Sequence, residues 1–263
     1  MLDWIQKQVG GGWIALQFLT ILPAPARLYG NTGLGSSLWY FPLVGILLGG
    51  ILLGLDQLFQ LFLPDILIGA LLLVTMVVLT GALHLDGLMD TCDGFAVRRS
   101  SAERLKVMAD SHVGGFGVAG AFCLLLVKFA ALVSLPGELR AVGLLLMPVI
   151  ARWAVTYPIL FFPSARKGGL GDLFKRETGQ GMIYVTAFFT LAFTSIFLFW
   201  IGPVLIAGVW LISFILAKML SRRLGGLTGD TYGAIIEVSE ACILIGIIII
   251  WEAGGTSWLG SYL

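Results

Sequence analysis

The chain has 263 residues, of which 58% are hydrophobic and 12% charged, with 16 Lys+Arg against 15 Asp+Glu; its mean hydropathy is +0.98. Soluble domains are about 45–50% apolar and about 25% charged, so this composition excludes a protein solvated by water alone and points to lipid. A net charge of +1 offers no electrostatic attraction to nucleic acid, and no nucleic-acid partner is expected.

From the N-terminus, the first apolar stretch runs from Trp13 to Leu22 and ends in Pro-Ala-Pro. It is shorter than the roughly 20 residues that a span needs, and it lacks the basic start and small-residue cleavage site of a signal peptide. A short interfacial or re-entrant helix is expected there. Seven longer stretches follow, near 37–62, 65–84, 114–135, 139–162, 182–201, 203–220 and 234–251. The expected fold class is all-α, a polytopic transmembrane helical bundle of about seven spans, with residues 1–263 forming a single integral membrane domain. Gly45, Gly49, Gly50 and Gly54 would let neighbouring helices approach closely. Pro42, Pro148 and Pro158 are expected to kink theirs. Cys92, Cys123 and Cys242 share no zinc or disulfide spacing and read as small apolar filler.

The loops sort by charge. Those after the first, third and fifth spans are tiny: Leu63-Pro64, Pro136 to Glu138, and a turn at Gly202-Pro203. Those after the second, fourth and sixth hold Arg98, Arg99, Arg104 and Lys106; Arg166, Lys167, Lys175 and Arg176; and Arg222 and Arg223. Lys7 and Arg27 precede the first full span, and Arg140 stands alone on the opposite side. The basic excess assigns its side to the cytoplasm, with the N-terminus inside and the C-terminal tail outside.

Acidic residues crowd that same side. Asp86, Asp90 and Asp93 stand at i, i+4 and i+7, which stacks them on one helix face directly after an apolar run. Three carboxylates on one stripe repel unless a cation sits among them, and hard oxygen ligands suit Mg²⁺, Mn²⁺ or Ca²⁺. Gly87 and Gly94 leave the backbone open to a bulky ligand. A second segment places Asp230 and Glu237 seven residues apart on one face, with Glu240 beyond, and could complete or duplicate the metal site. Glu237 could instead pair with a neighbouring Arg.

A third segment, from Met108 to Gly117, holds Asp110 and His112 and then the Gly114-Gly115 turn. Glycine-rich backbone at a helix start can bind phosphate through free N–H groups. Arg152 and Lys128 lie within apolar runs and must pair, with a carboxylate or with an anionic substrate. His84 and His112 are the only histidines; either could take a proton from a hydroxyl or make a structural hydrogen bond. The basic loop from Arg166 to Arg176 is read as serving orientation.

Three stretches carry a family resemblance: Gly-Ala-Leu-His-Leu-Asp-Gly-Leu-Met-Asp-Thr-Cys-Asp-Gly-Phe (81–95), Met-Ala-Asp-Ser-His-Val-Gly-Gly-Phe-Gly (108–117) and Leu-Gly-Gly-Leu-Thr-Gly-Asp-Thr-Tyr-Gly-Ala (224–234). With an early Phe-Leu-Thr-Ile-Leu-Pro (18–23), they resemble the cobalamin synthase family, the adenosylcobinamide-GDP ribazoletransferases. The resemblance implies a Mg²⁺-dependent enzyme of the bacterial inner membrane. Such an enzyme joins adenosylcobinamide-GDP to α-ribazole or its 5′-phosphate and releases GMP. It implies metal binding by Asp86, Asp90 and Asp93, with Asp230 and Glu237, and substrate contacts from Asp110, Gly114, Gly115 and Arg152. His84 becomes the candidate proton acceptor. The family more often has Arg where His112 stands, so no role is carried to that position. Self-association, or contact with other corrinoid-pathway enzymes, is compatible with the bilayer setting.

Two other classes fit parts of the pattern. A CDP-alcohol phosphotransferase also uses an aspartate-rich helix, but its first Asp-Gly is soon followed by Ala-Arg, where Leu-Met-Asp stands here. A transporter could use intramembrane carboxylates, but no inverted repeat is visible and the acids crowd one side rather than the midplane.

Overall fold

The computed structural model describes residues 2–23, 33–97, 100–176, 178–179 and 181–253, with side chains from Val9 onward. Arg27, Arg98, Arg99, the Lys7 side chain and the tail beyond Ala253 lie outside the described residues. The regular structure among the described residues is helical, apart from one isolated parallel bridge between Ser164 and Leu227.

Helix α1 (Leu2–Leu19) carries an apolar stretch, Val9–Leu19, too short to cross a membrane. A 3-10 turn (Leu34–Tyr40) leads into α2 (Phe41–Phe59), followed by α3 (Asp65–Leu79), α4 (Leu83–Ala96) and α5 (Ser101–Val107). Then come α6 (Gly115–Ser134), α7 (Gly137–Ala154), α8 (Thr156–Phe161) and α9 (Leu170–Arg176). The chain ends with α10 (Gly181–Leu198), α11 (Ile201–Leu224) and α12 (Gly229–Glu252). Six segments are long and apolar enough to cross: Leu34–Phe59, Gly115–Ser134, Gly137–Phe161, Gly181–Leu198, Ile201–Leu224 and Gly229–Glu252. The bent pair α3–α4 makes a seventh if counted as one span. Two of these form the centre of the bundle: 78% of the apolar 18-residue stretch within Gly137–Phe161 is buried and 61% of that within Gly229–Glu252, against 28–44% for the other four.

Small residues bring α2 onto α7. A Cβ on Gly45 would stand 2.6 Å from Val149 Cα, and one on Gly49 2.6 Å from the Leu145 carbonyl oxygen, so these two backbones touch antiparallel. Gly50 and Gly54 face open space instead. At the far end of the same pair, Arg140 Nε donates to Asp56 Oδ1 at 2.8 Å. Arg140 is thereby buried and paired with a carboxylate.

The prolines act differently from one another. Pro42 sits in the first turn of α2, where a missing N–H has no intrahelical partner to lose, so it makes no kink. Pro158 does break its span, at Val155. It cannot donate to the carbonyl four residues back, Ala154, and Ser213 Oγ of α11 donates to that oxygen instead at 2.9 Å. The turn between α10 and α11 falls at Phe199-Trp200 rather than at Gly202-Pro203, which lie in the first turn of α11.

The second expected span, 65–84, ends early. Helix α3 is about 22 Å long at 1.5 Å per residue, short of the roughly 30 Å hydrocarbon core. Gly81 (φ 60°) and Ala82 (φ 57°) are both left-handed, and α4 leaves at 87° to α3. The aspartate-bearing helix therefore does not continue straight out of a span, as its sequence suggests, but turns sideways onto the start of α12.

Candidate active site

The site forms where α4 and α12 cross antiparallel. A Cβ on Gly87 would lie 2.7 Å from the Asp230 carbonyl oxygen, and one on Gly233 3.0 Å from His84 Cα. Each helix thus puts a glycine under the other's polar residue, and the backbones meet without side chains between them. The start of α12 is set locally: Thr231 N–H donates to Thr228 Oγ1 at 3.3 Å, and Thr228 N–H to Thr231 Oγ1 at 2.9 Å. This reciprocal cap leaves Asp230 in the first helical turn, where the helix dipole favours an anion. Behind it, the Ser164–Leu227 bridge is closed by Ala165 N–H to Leu227 O (2.9 Å) and Leu227 N–H to Pro163 O (2.8 Å). The bridge holds the α8–α9 loop against the α11–α12 loop and brings Arg166 within electrostatic range of Asp230.

The expected carboxylates separate into four groups. Asp86 and Asp230 line one cavity, and half-buried Asp90 lies within electrostatic range of both. Asp93 caps α6: Gly114 N–H donates to its Oδ2 and Gly117 N–H to its Oδ1, both at 2.8 Å. The Gly114 N–H that the sequence offers to phosphate is therefore bonded to Asp93, while Gly115 beside it faces open space. Asp110 is exposed and pairs with His112, whose backbone N–H (3.0 Å) and Nδ1 (2.6 Å) meet its Oδ1. These hydrogen bonds, the side-chain one foremost, hold the Asp110 carboxyl below the usual carboxylate range.

Glu237 and Arg152 belong to a different structure. Lys128 Nζ of α6 donates to Glu237 Oε2 at 2.9 Å and to Glu240 Oε2 at 2.5 Å. Arg152 of α7 donates through Nη1 to Glu240 Oε1. All four are buried, and two cations balance two anions. In a low-dielectric interior such charges persist only when paired. The geometry gives Arg152 to Glu240 rather than to phosphate, and Glu237 to Lys128 rather than to Asp230. It joins α6, α7 and α12 through a neutral polar knot.

Next to this knot, His84 is 3% exposed, and neither of its ring nitrogens has a hydrogen-bond partner. It lines the same cavity as Asp86 and Asp230, a space of about 200 Å³ whose other walls include Phe18, Phe41 and Tyr232. Tyr232 carries no role on sequence grounds; its one signal is its place within Gly-Asp-Thr-Tyr-Gly, two residues after Asp230. Phe18 belongs to the early Phe-Leu-Thr-Ile-Leu-Pro stretch, whose use is visible only once α1 reaches this cavity. Arg104, one of the basic loop residues, is buried and donates to the Gly94 and Phe95 carbonyls at 3.1 and 3.0 Å, closing the C-terminal end of α4. Gly87 and Gly94 are filled by Asp230 backbone and Met108 side chain, so neither admits a ligand.

Fold and site together define a polytopic helical membrane protein with a cluster of carboxylates and a small cavity at one helix crossing. A family model described as Cobalamin-5-phosphate synthase matches residues 11–248, and the chain belongs to that family. The protein named adenosylcobinamide-GDP ribazoletransferase from Desulfitobacterium hafniense (strain Y51) is 40% identical over 249 residues, covering 89% of this chain and 94% of its own. Proteins of the same name from Geotalea daltonii and Roseiflexus sp. (strain RS-1) are 39% and 38% identical over 240 and 231 residues. They cover 90% and 88% of this chain, and 96% and 86% of their own lengths. No solved structure matches the chain.

Proposed function

We propose that this protein transfers the adenosylcobinamide phosphoryl group from adenosylcobinamide-GDP to α-ribazole or its 5′-phosphate, releasing GMP and forming adenosylcobalamin or its phosphate. The site would face the cytoplasm from a bacterial inner membrane, and Mg²⁺ would be its cofactor. The observation that carries this reading is the meeting of Asp86, Asp90 and Asp230 beside unpartnered His84, in a chain of this family. The family match favours this reading over the CDP-alcohol and transporter alternatives. The basic loops on the same side as the carboxylates support the cytoplasmic assignment.

The donor set fits Mg²⁺. Asp86, Asp90 and Asp230 offer hard oxygens, yet among the described residues no three His, Cys, Asp or Glu side chains close into a ready cage. Mg²⁺ is commonly held by one or two carboxylates together with substrate phosphates and retained waters, so an incomplete protein cage suits it. When bound there, it would neutralise charge on the diphosphate and polarise the phosphoryl oxygens. The protein's own part is positioning. His84, buried with both nitrogens unpartnered, accepts the proton of the attacking ribose hydroxyl. Exposed Arg166 is the cation we assign to the diphosphate. The attacking oxygen bonds to the cobinamide-bearing phosphorus, the bond to the bridging oxygen breaks, and GMP leaves with that oxygen.

Incubating the purified protein with adenosylcobinamide-GDP, α-ribazole and Mg²⁺, with and without EDTA, tests this directly. GMP and the joined corrinoid should form in equal amounts with Mg²⁺ and stop with EDTA, and no CMP should come from a CDP-alcohol. Absence of GMP release in the Mg²⁺ arm would overturn the assignment.

A further inference from the structure

We propose that the groove enclosed by α4, α11 and α12 holds one acyl chain of an anionic phospholipid, that Arg223 and Arg222 at its end take the headgroup, and that this lipid backs α4 from the side opposite its carboxylates. This is a second site, away from the cavity at the α4–α12 crossing.

Helical spacing divides α4 into two faces. Leu88, Thr91, Cys92 and Phe95 stand at i, i+3, i+4 and i+7 and share one face. At 3.6 residues per turn, Asp86, Asp90 and Asp93 fall on the other. The four non-acidic residues line a groove of about 210 Å³. Thr91 Oγ1 donates to the Gly87 carbonyl of its own helix at 2.7 Å, so the groove offers no free hydroxyl.

Helix α11 supplies a wall that changes character along one face. Leu216, Met219, Leu220 and Arg223 again stand at i, i+3, i+4 and i+7, and the first three line the groove. Apolar side chains thus lead to a cation one turn on. The Arg223 guanidinium lies 5.8 Å from the centroid of the Phe95 ring, which places it at the groove's end. Arg222 and Arg223 are both exposed, and neither pairs with a carboxylate among the described residues. Met219 is 44% exposed, on a helix long and apolar enough to cross the membrane, so the groove opens toward lipid.

Shape and charge together select the occupant. A slender hydrocarbon chain fits this space, whereas a second helix, about 10 Å across with its side chains, does not. Guanidinium groups make paired hydrogen bonds to phosphate oxygens, and basic clusters at the end of a span attract anionic lipid. A zwitterionic lipid would bring its own cation to the same place, and free phosphate would leave the groove unfilled. The consequence reaches α4. Its carboxylate-bearing position is set by contact with α12 at Gly87, and a chain lodged between α4, α11 and α12 supports that contact from behind.

The test is retention of phosphatidylglycerol and of phosphatidylcholine by the purified full-length protein, by native mass spectrometry from detergent, beside melting temperature as each lipid is added. The wild type should keep phosphatidylglycerol in preference and melt higher with it. Arg223→Ala should bind it about fivefold more weakly, the scale of one cation beside an anionic bilayer. Met219→Trp fills the groove and leaves both arginines in place; it too should lose the preference, which attraction to surface charge alone would not predict. An unchanged melting temperature without added lipid establishes that each variant folds. In phosphatidylcholine vesicles, added phosphatidylglycerol should raise GMP release by the wild type and not by Met219→Trp. Equal retention of the two lipids by the wild type, or undiminished phosphatidylglycerol retention by Met219→Trp, would overturn the site. So would a dimer that Met219→Trp dissociates and that retains no lipid, since a second copy would then fill the groove. Selective retention without any GMP release would remove the transfer reaction and leave the lipid site standing.

Discussion

Gly87 stands against the backbone of Asp230, so close that a Cβ on Gly87 would come within 2.7 Å of the Asp230 carbonyl oxygen and 2.9 Å of its Cα. Two aspartate-bearing helices separated by more than a hundred residues meet there with nothing between them. The approach sets the distance between Asp86, the next residue on α4, and Asp230 itself. Catalysis by positioned charge depends on such distances.

Gly87→Ala should therefore separate the carboxylates without removing any of them. Overpacking of this kind costs about 1–3 kcal/mol, and a displacement near 1 Å at reacting groups can lower rate by about 100-fold. GMP release by the purified variant should fall by that order while the protein still inserts and purifies as a membrane protein. Wild-type turnover would show that the crossing does not set the site.

Asp90→Asn keeps the shape of the side chain and removes its charge. Turnover should be lost while membrane insertion and melting temperature stay near wild type, because Asp90 has no ion pair among the described residues to break. Full activity in this variant would take Asp90 out of the metal site.

Asp93 should behave differently from Asp90. Its carboxylate accepts from both Gly114 and Gly117 N–H at the start of α6. Asp93→Ala should lower stability by about 0.5–2 kcal/mol, the range for a lost helix N-cap. Asp93→Asn, which keeps one acceptor oxygen, should recover part of it. Equal thermal stability of Ala and Asn variants would remove the capping role.

The buried knot gives the largest stability effect. Glu240→Gln leaves Arg152 without its carboxylate and Lys128 with Glu237 alone. Removing one partner of a buried ion pair costs about 3–5 kcal/mol. Adding Arg152→Met should restore a substantial part, since it removes the orphaned charge; a double-mutant cycle of unfolding in detergent measures the coupling. Additive losses in that cycle would mean that the two residues do not act as a pair.

Hydropathy made the bundle legible. Six of the seven expected spans, and the short first helix, lie where apolar runs put them, because burial of backbone in lipid demands a helix wherever some 20 apolar residues follow one another. The use of Gly45 and Gly49 was legible as a kind of contact but not as a partner: Gly50 and Gly54 look the same in sequence and face nothing. The break between α3 and α4 had a weak signal in Gly81, and none in Ala82, whose backbone is left-handed as well.

By itself the sequence determined the helices, their apolar faces, the charge asymmetry of the loops and the short-range stacking of Asp86, Asp90 and Asp93, all of which follow from interactions within a few turns of chain. Only the tertiary structure decided which carboxylates remain at the cavity and which are consumed elsewhere. Asp93 is bound by α6, and Glu237 and Glu240 are bound by Lys128 and Arg152, partners 109, 112 and 88 residues away in sequence. A charge in lipid takes whatever counter-charge the packing brings within reach, and residue spacing along one helix carries no record of what another helix will present.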